Sequence, residues 1–117
     1  MPSLNRMAVT GSGGLYGQAL LGEIRKNHPH IHVLGVDVGT HHAIKPDVLC
    51  HYDIREERAT QAIVDYAPDA IIHLAYAVQP QRNQKQMRSI NIDGTRAVLA
   101  AAAACQPKQL LVASSGT

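Results

Sequence analysis

Apolar residues along the chain fall into short continuous runs that alternate with stretches of helical spacing. Met7-Ala8-Val9-Thr10 is a first apolar run and reads as a strand entering Gly11. From Gly14 to about Asn27, Gly17, Leu20, Leu21 and Ile24 recur on one side of a helix. Pro29 disfavours helix in the residue before it, so this helix ends at Asn27-His28. Ile31 to Asp37 is mostly β-branched or apolar, as a strand buried on both faces should be. Val38 to Pro46 carries glycine, threonine, two histidines and a proline and reads as a loop. Val48 to Tyr52 is a third short strand. Glu56 to Tyr66 is a helix with acidic residues at its start and Ala59, Ala62, Ile63 and Tyr66 on its apolar side. Ala70 to Ala75 is a fourth strand, and Tyr76 to Gln84 is irregular. A long helix from about Lys85 to Cys105 places Met87, Asn91, Gly94, Val98, Ala101 and Cys105 on one face. A glycine inside a helix costs about 1 kcal/mol against alanine, so Gly94 marks close packing. Gln109 to Ala113 is a fifth strand.

Strands that alternate with helices predict an α/β fold with a parallel sheet, right-handed crossovers and helices on both faces. No internal repeat or linker divides the 117 residues, so one domain over residues 1–117 is expected. With 45% hydrophobic and 17% charged residues the composition is globular rather than disordered. A formal net charge of +2, without basic clusters and without Trp or Phe, argues against nucleic acid or a membrane surface as partner. Cys50 and Cys105 lie far apart with no metal spacing. They read as small buried residues, which suits a reducing compartment, so a cytoplasmic location is expected. The residues before the first strand show no targeting pattern, and no apolar run is long enough to span a bilayer. Of the seven histidines, His28, His30, His32, His41 and His42 cluster in sequence but lack the ligands for a tetrahedral set; no metal is expected. His73, on a buried strand, reads as a satisfied core histidine.

Chemistry concentrates in Thr10-Gly11-Ser12-Gly13-Gly14-Leu15-Tyr16-Gly17, between the first strand and the first helix. Three glycines at a spacing of three plus three suit a dinucleotide. Gly11 allows a sharp turn, Gly14 lets backbone approach a pyrophosphate, and Gly17 lets the helix lie close. The free N–H groups and helix dipole then face the phosphates. A tight glycine turn without a ligand is the alternative, and the P-loop is not, since no Gly-Lys-Ser/Thr follows. Asp37 closes the second strand twenty residues after Gly17, where a carboxylate can accept from both hydroxyls of an adenosine ribose and repel a 2′-phosphate; the bland alternative is a turn cap.

These motifs together resemble the N-terminal part of the extended short-chain dehydrogenase/reductase family, the NAD-dependent epimerase/dehydratase group. The resemblance rests on Thr10 to Gly17, Asp37, Asp53-Ile54-Arg55, Pro68 to Ala75, Asn91-Ile92-Asp93-Gly94-Thr95 and Leu111 to Ser115. It implies a Rossmann-type doubly wound parallel sheet with strand order 3-2-1-4-5. It implies NAD as cofactor and hydride transfer at a secondary alcohol, with a nucleotide sugar or similar polar molecule as substrate. By resemblance, Gly11, Gly14 and Gly17 hold the pyrophosphate with the N–H groups of Leu15 and Tyr16. Asp53 and Ile54 face the adenine, while Leu74, Ala75 and Tyr76 line the path to the nicotinamide. Asn91 ties strand ends together near the cofactor, and Ser115, with Ser114 beside it, meets the reacting substrate oxygen. Asp53 has an alternative as a helix cap. Two further readings stand beside the enzyme: a non-catalytic dinucleotide sensor, and a methyltransferase on a similar fold, against which the glycine spacing argues.

The family's acid/base pair is Tyr-x-x-x-Lys, and none of the four tyrosines has a lysine four residues on. The chain is therefore expected to supply the dinucleotide-binding half and to be inactive alone. Its last strand is expected to leave Leu110, Leu111 and Val112 on an open sheet edge, a place for homodimerisation or self-association.

Overall fold

A computed structural model describes residues 4–39, 41–75 and 83–113. The elements run β1 (Arg6–Thr10), α1 (Leu15–Asn27), β2 (His32–Val36), β3 (Val48–Cys50), α2 (Glu57–Tyr66), β4 (Ala70–His73), α3 (Gln84–Cys105) and β5 (Gln109–Val112). All four strand pairings are parallel, and the sheet order is β3-β2-β1-β4-β5. The alternation of elements predicted the parallel sheet, and this Rossmann-type order is the one the family resemblance implied.

Alternation along the central strands sends side chains to two separate cores. Met7 and Val9 of β1, Val33 of β2 and Ala70 of β4 pack on one face against Leu21 and Ile24 of α1. Ala8, Leu34, Val36 and Ile71 face the other way, against Ala59 and Ile63 of α2 and Val98 and Ala101 of α3. Helix α1 contains Gly17 and Gly22, which together cost about 2 kcal/mol against alanine. Full burial of Leu21 and near-full burial of Ile24 each contribute roughly 1.5–3 kcal/mol, so packing outweighs the weak propensity. Gly94 meets the close approach expected of it. A Cβ there would lie 2.9 Å from Ile54 Cγ2, which lets α3 settle on the loop before α2.

Four strands end earlier than the apolar runs suggest, β5 by one residue, at Val112 rather than Ala113. β3 pairs only with Leu34, Gly35 and Val36, so it stops at Cys50 rather than Tyr52. β2 stops at Val36, one residue short of Asp37. β4 stops at His73, because the Leu74 and Ala75 N–H groups turn to the Thr10 hydroxyl. The cysteines are half-buried rather than buried. Cys50 lies on the edge strand β3 and Cys105 is the last residue of α3; both are free thiols, with pKa raised chiefly by desolvation. No described helix is long and apolar enough to cross a membrane.

The two sheet edges differ. β3 is three residues long, whereas β5 presents Leu110, Leu111 and Val112, all exposed, with no charge or proline among them. Apolar edges of this kind template pairing with another chain. The 117-residue chain is expected to self-associate as its concentration rises, and Leu111→Lys, at the most exposed of the three, should shift it towards monomer. Sedimentation velocity over a concentration series checks this; unchanged association in the variant would remove β5 as the contact.

Candidate functional site

The ends of β1, β2 and β4 converge on the turn between β1 and α1. Gly11 has φ +72, a conformation that side chains resist, and a Cβ there would lie 2.8 Å from the Leu74 carbonyl and the Ala75 nitrogen. Its N–H donates to the Val36 carbonyl at 2.7 Å, tying the turn to the end of β2. At Gly17 a Cβ would come within 2.2 Å of the Gly11 carbonyl oxygen. Gly14 is different: it is exposed, has an ordinary φ of −78 and would place a Cβ in normal contact at 3.4 Å. Two of the three glycines are thus demanded by the fold itself. The third is not.

Gly14 is also the N-cap of α1, with no side-chain capping bond and no acidic residue in the first turn. Helix α3, by contrast, is capped by Asn83, whose side chain accepts from the Lys85 and Gln86 N–H groups. The first-turn N–H groups of α1, at Leu15 and Tyr16, have no intrahelical acceptor by geometry. Their side chains are 81% and 74% exposed, which leaves that helix end open to an anion.

Asp37 stands beside this turn. One carboxylate oxygen accepts from the Gly13 N–H and the other from the Gly39 N–H, each at 2.8 Å. The carboxylate is thereby fixed, and each oxygen keeps one lone pair for a further donor. Across β3, Asp53 accepts from the Arg55 backbone N–H and guanidinium, and Arg55 reaches on to Ser89 of α3. The side-chain bond from Arg55 is the main cause holding the Asp53 carboxyl below its usual 3.8. One acceptor position remains on Asp53 Oδ2. The Ile54 side chain is buried in the core against Gly94, so what it can offer a base is backbone.

Several residues that pattern reading did not single out shape the site. Ser12 is fully buried, and its Oγ meets His42 Nε2 at 2.8 Å. Gln18 donates to the carbonyls of Ser12 and Ile44 and accepts from the Ile44 N–H, strapping the loop after β2 onto the glycine turn. Gly35 makes room for this, since a Cβ there would lie 2.5 Å from Ser12 Oγ and 2.8 Å from Pro46. A glycine inside a strand signals such an approach, and that signal was available in the sequence. His42 and Asp37 both flank Gly13, where an added Cβ would sit 3.1 Å and 3.2 Å from them.

His73 and Thr10 are buried on the α3 side of the sheet. Thr10 Oγ1 lies 2.6 Å from His73 Nδ1, and His73 Nε2 lies 3.3 Å from Thr95 Oγ1. His73 is the satisfied core histidine that its strand position suggested. Leu74 and Ala75 flank the glycine turn through their backbone. Asn91 lies on α3, where its carbonyl accepts from the Thr95 hydroxyl at 2.6 Å. Tyr76, Ser114 and Ser115 fall outside the described residues. Among the described residues no three His, Cys, Asp or Glu side chains come together to hold a metal.

The profile of one family, the NAD dependent epimerase/dehydratase family, matches residues 7–117. The chain belongs to that family. Solved structures with this fold include a short-chain dehydrogenase/reductase superfamily protein from Agrobacterium tumefaciens with bound NAD. It is 26% identical with a TM-score of 0.74, over 95% of this chain and 33% of that one. UDP-glucose-4-epimerase from Stenotrophomonas maltophila, with bound NAD and formylated UDP-arabinopyranose, is 25% identical with a TM-score of 0.79, over 97% of this chain and 38% of that one. The Bordetella bronchiseptica enzyme WbmG, in complex with NAD and UDP, shares the fold at 17% identity and a TM-score of 0.80, over 95% of this chain and 37% of that one. The chain therefore spans little more than a third of the solved structures it matches. A comparison with curated protein sequences gives no match.

Burial lowers the His73 pKa below the ordinary 6.5, because the interior disfavours the charged ring. The unfolded chain takes up a proton near 6.5 that the folded chain refuses. Stability from this group is therefore complete above 6.5 and is lost as the pH falls from there towards the folded value. Thermal melts of the protein at pH 8, 7, 6 and 5 should show falling stability over the acid half of that range, with a flatter slope in His73→Asn. An equal slope in both would refute this assignment.

Proposed function

We propose that this chain is the NAD-binding half of an enzyme of the epimerase/dehydratase family that acts on a secondary alcohol, with a nucleotide sugar as substrate. The observation that carries the reading is Gly14, a glycine the fold does not require, at an uncapped helix N-terminus. Absence of a side chain there serves an approaching pyrophosphate. Membership of the family and the nucleotide-sugar enzyme among the solved structures support the wider assignment.

In this reading Gly11, Gly14 and Gly17 form the pyrophosphate cradle, and the Leu15 and Tyr16 N–H groups donate to it. The free lone pairs of Asp37 accept from the two hydroxyls of the adenosine ribose. The same carboxylate repels a 2′-phosphate and so selects NAD over NADP. Asp53 Oδ2 accepts from the adenine amine, and the Ile54 backbone lies along the base. Leu74 and Ala75 line the way towards the nicotinamide, a role that the family resemblance extends to Tyr76, with Asn91 holding the neighbouring strand ends. NAD held by these residues would supply hydride transfer at the substrate carbon. Ser115, with Ser114 beside it, hydrogen-bonds the substrate oxygen. None of the four tyrosines in residues 1–117 has a lysine four positions on, so in this reading these residues bind the cofactor and do not by themselves turn over.

Two alanine variants separate binding from folding. Gly14→Ala should change stability by less than about 1 kcal/mol yet weaken NAD by about tenfold or more, because within the protein the new methyl makes only an ordinary 3.4 Å contact with the Gly11 carbonyl while the ligand is crowded by it. Gly17→Ala should cost about 1–3 kcal/mol or more, because its Cβ runs into a backbone carbonyl that cannot move aside. Calorimetric titration with NAD beside thermal melts reads both. Unchanged NAD affinity in Gly14→Ala would sink the pyrophosphate assignment.

A further inference from the structure

A chain of polar contacts runs from Thr10 through His73 and Thr95 to the Asn91 carbonyl, and the groups at its two ends favour one arrangement of protons. Thr10 Oγ1 accepts from the Ala75 N–H at 3.1 Å and from the Leu74 N–H at 3.0 Å, the latter shared with the Thr10 carbonyl at 3.1 Å, so both its lone pairs are engaged. Its own proton then goes to the remaining neighbour, His73 Nδ1 at 2.6 Å. With Nδ1 accepting, the neutral ring carries its proton on Nε2 and donates it to Thr95 Oγ1. Thr95 in turn donates to the Asn91 carbonyl. Every bond runs in the same sense, from the Leu74 and Ala75 N–H groups to α3. Bonds aligned in this way polarise one another.

We propose that His73, as the neutral Nε2–H tautomer, is a positioning residue for the dinucleotide: it orients the Thr10 hydroxyl so that the Leu74–Ala75 backbone is held against the glycine turn. The inference rests on the NAD reading of that turn. The wall it fixes is the one that a Cβ on Gly11 would strike at 2.8 Å, so a small shift of Leu74 or Ala75 changes the space beside the turn. The described groups that meet the ring are uncharged: Thr10 from β1, Gly94 beside Cε1, and Thr95 from α3. Among the described residues no charged group draws a second proton onto the ring, and burial opposes one. A hydroxyl at position 10 with two acceptor sites and one directed proton is what serine also supplies and valine does not. At position 73, an asparagine oxygen can stand in for Nδ1, and leucine cannot.

The test uses the full-length protein with 15N-labelled histidine. Long-range proton–nitrogen spectra, with His73 assigned from its loss in His73→Asn, should show Nε2 protonated and Nδ1 bare at pH 7 with and without NAD. An Nδ1–H tautomer or a doubly protonated ring would overturn the relay whether or not NAD binds. NAD titration calorimetry gives the functional half. Thr10→Val and His73→Leu should raise Kd about tenfold, with Thr10→Ser and His73→Asn within about threefold of wild type. A purely structural role would lower the number of competent sites and leave Kd of the remainder unchanged, and that outcome overturns the proposal. Wild-type protein that shows the stated tautomer but fails to bind NAD would overturn the dinucleotide reading instead, and the two failures are distinct.

Discussion

Where the turn between β1 and α1 crosses the start of the helix, neither Gly11 nor Gly17 has space for a side chain. Gly17 lies so close to the Gly11 carbonyl that a Cβ would sit 2.2 Å from it, and Gly11 itself is pressed against the Leu74–Ala75 backbone. This crossing sets where α1 begins and which way its N-terminus points. It also brings the ends of β1, β2 and β4 to one place. The Gly11 N–H is bonded to Val36 of β2, and the Thr10 hydroxyl collects the first two N–H groups after β4. Everything assigned to the cofactor hangs on those three strand ends.

The two layers of helix play different parts around that crossing. On one face α1, Gln18 and the loop carrying His42, Ile44 and Pro46 are strapped together, and Asp37 is held to the turn through the Gly13 N–H. On the other face α3 sits close on the sheet because Gly94 lets Ile54 in, and Thr95 reaches His73. The glycine turn is thus fixed from both sides by buried polar bonds as well as apolar packing. Such bonds contribute modestly when made and cost about 1–3 kcal/mol each when one partner is removed, so they specify geometry more than they add stability.

Much of this was legible in the sequence. Runs of apolar residues and helical spacing gave all five strands and three helices, and the glycine spacing with Asp37 pointed to residues that the fold brings together at one turn. Strand ends were less legible: β3 and β4 stop where their partners stop, and the partner is not visible from local pattern. The Ser12–His42 pair and the Thr10–His73–Thr95 chain were hidden for a related reason. They join residues 22 to 63 positions apart through single polar atoms, and period-two or helical patterning carries no information on such pairs. Ile54 was read as facing a base, yet its side chain fills the core, because an apolar residue after a strand serves packing first.

The central claim is that the uncapped start of α1 and the fixed Asp37 carboxylate together recognise NAD. A competition titration of the protein with NAD, NADP and S-adenosylmethionine measures it most directly. The account predicts that NAD binds, that NADP binds more weakly because its 2′-phosphate meets Asp37, and that S-adenosylmethionine does not compete. Tighter binding of NADP than NAD, or displacement by S-adenosylmethionine, from folded protein would contradict it.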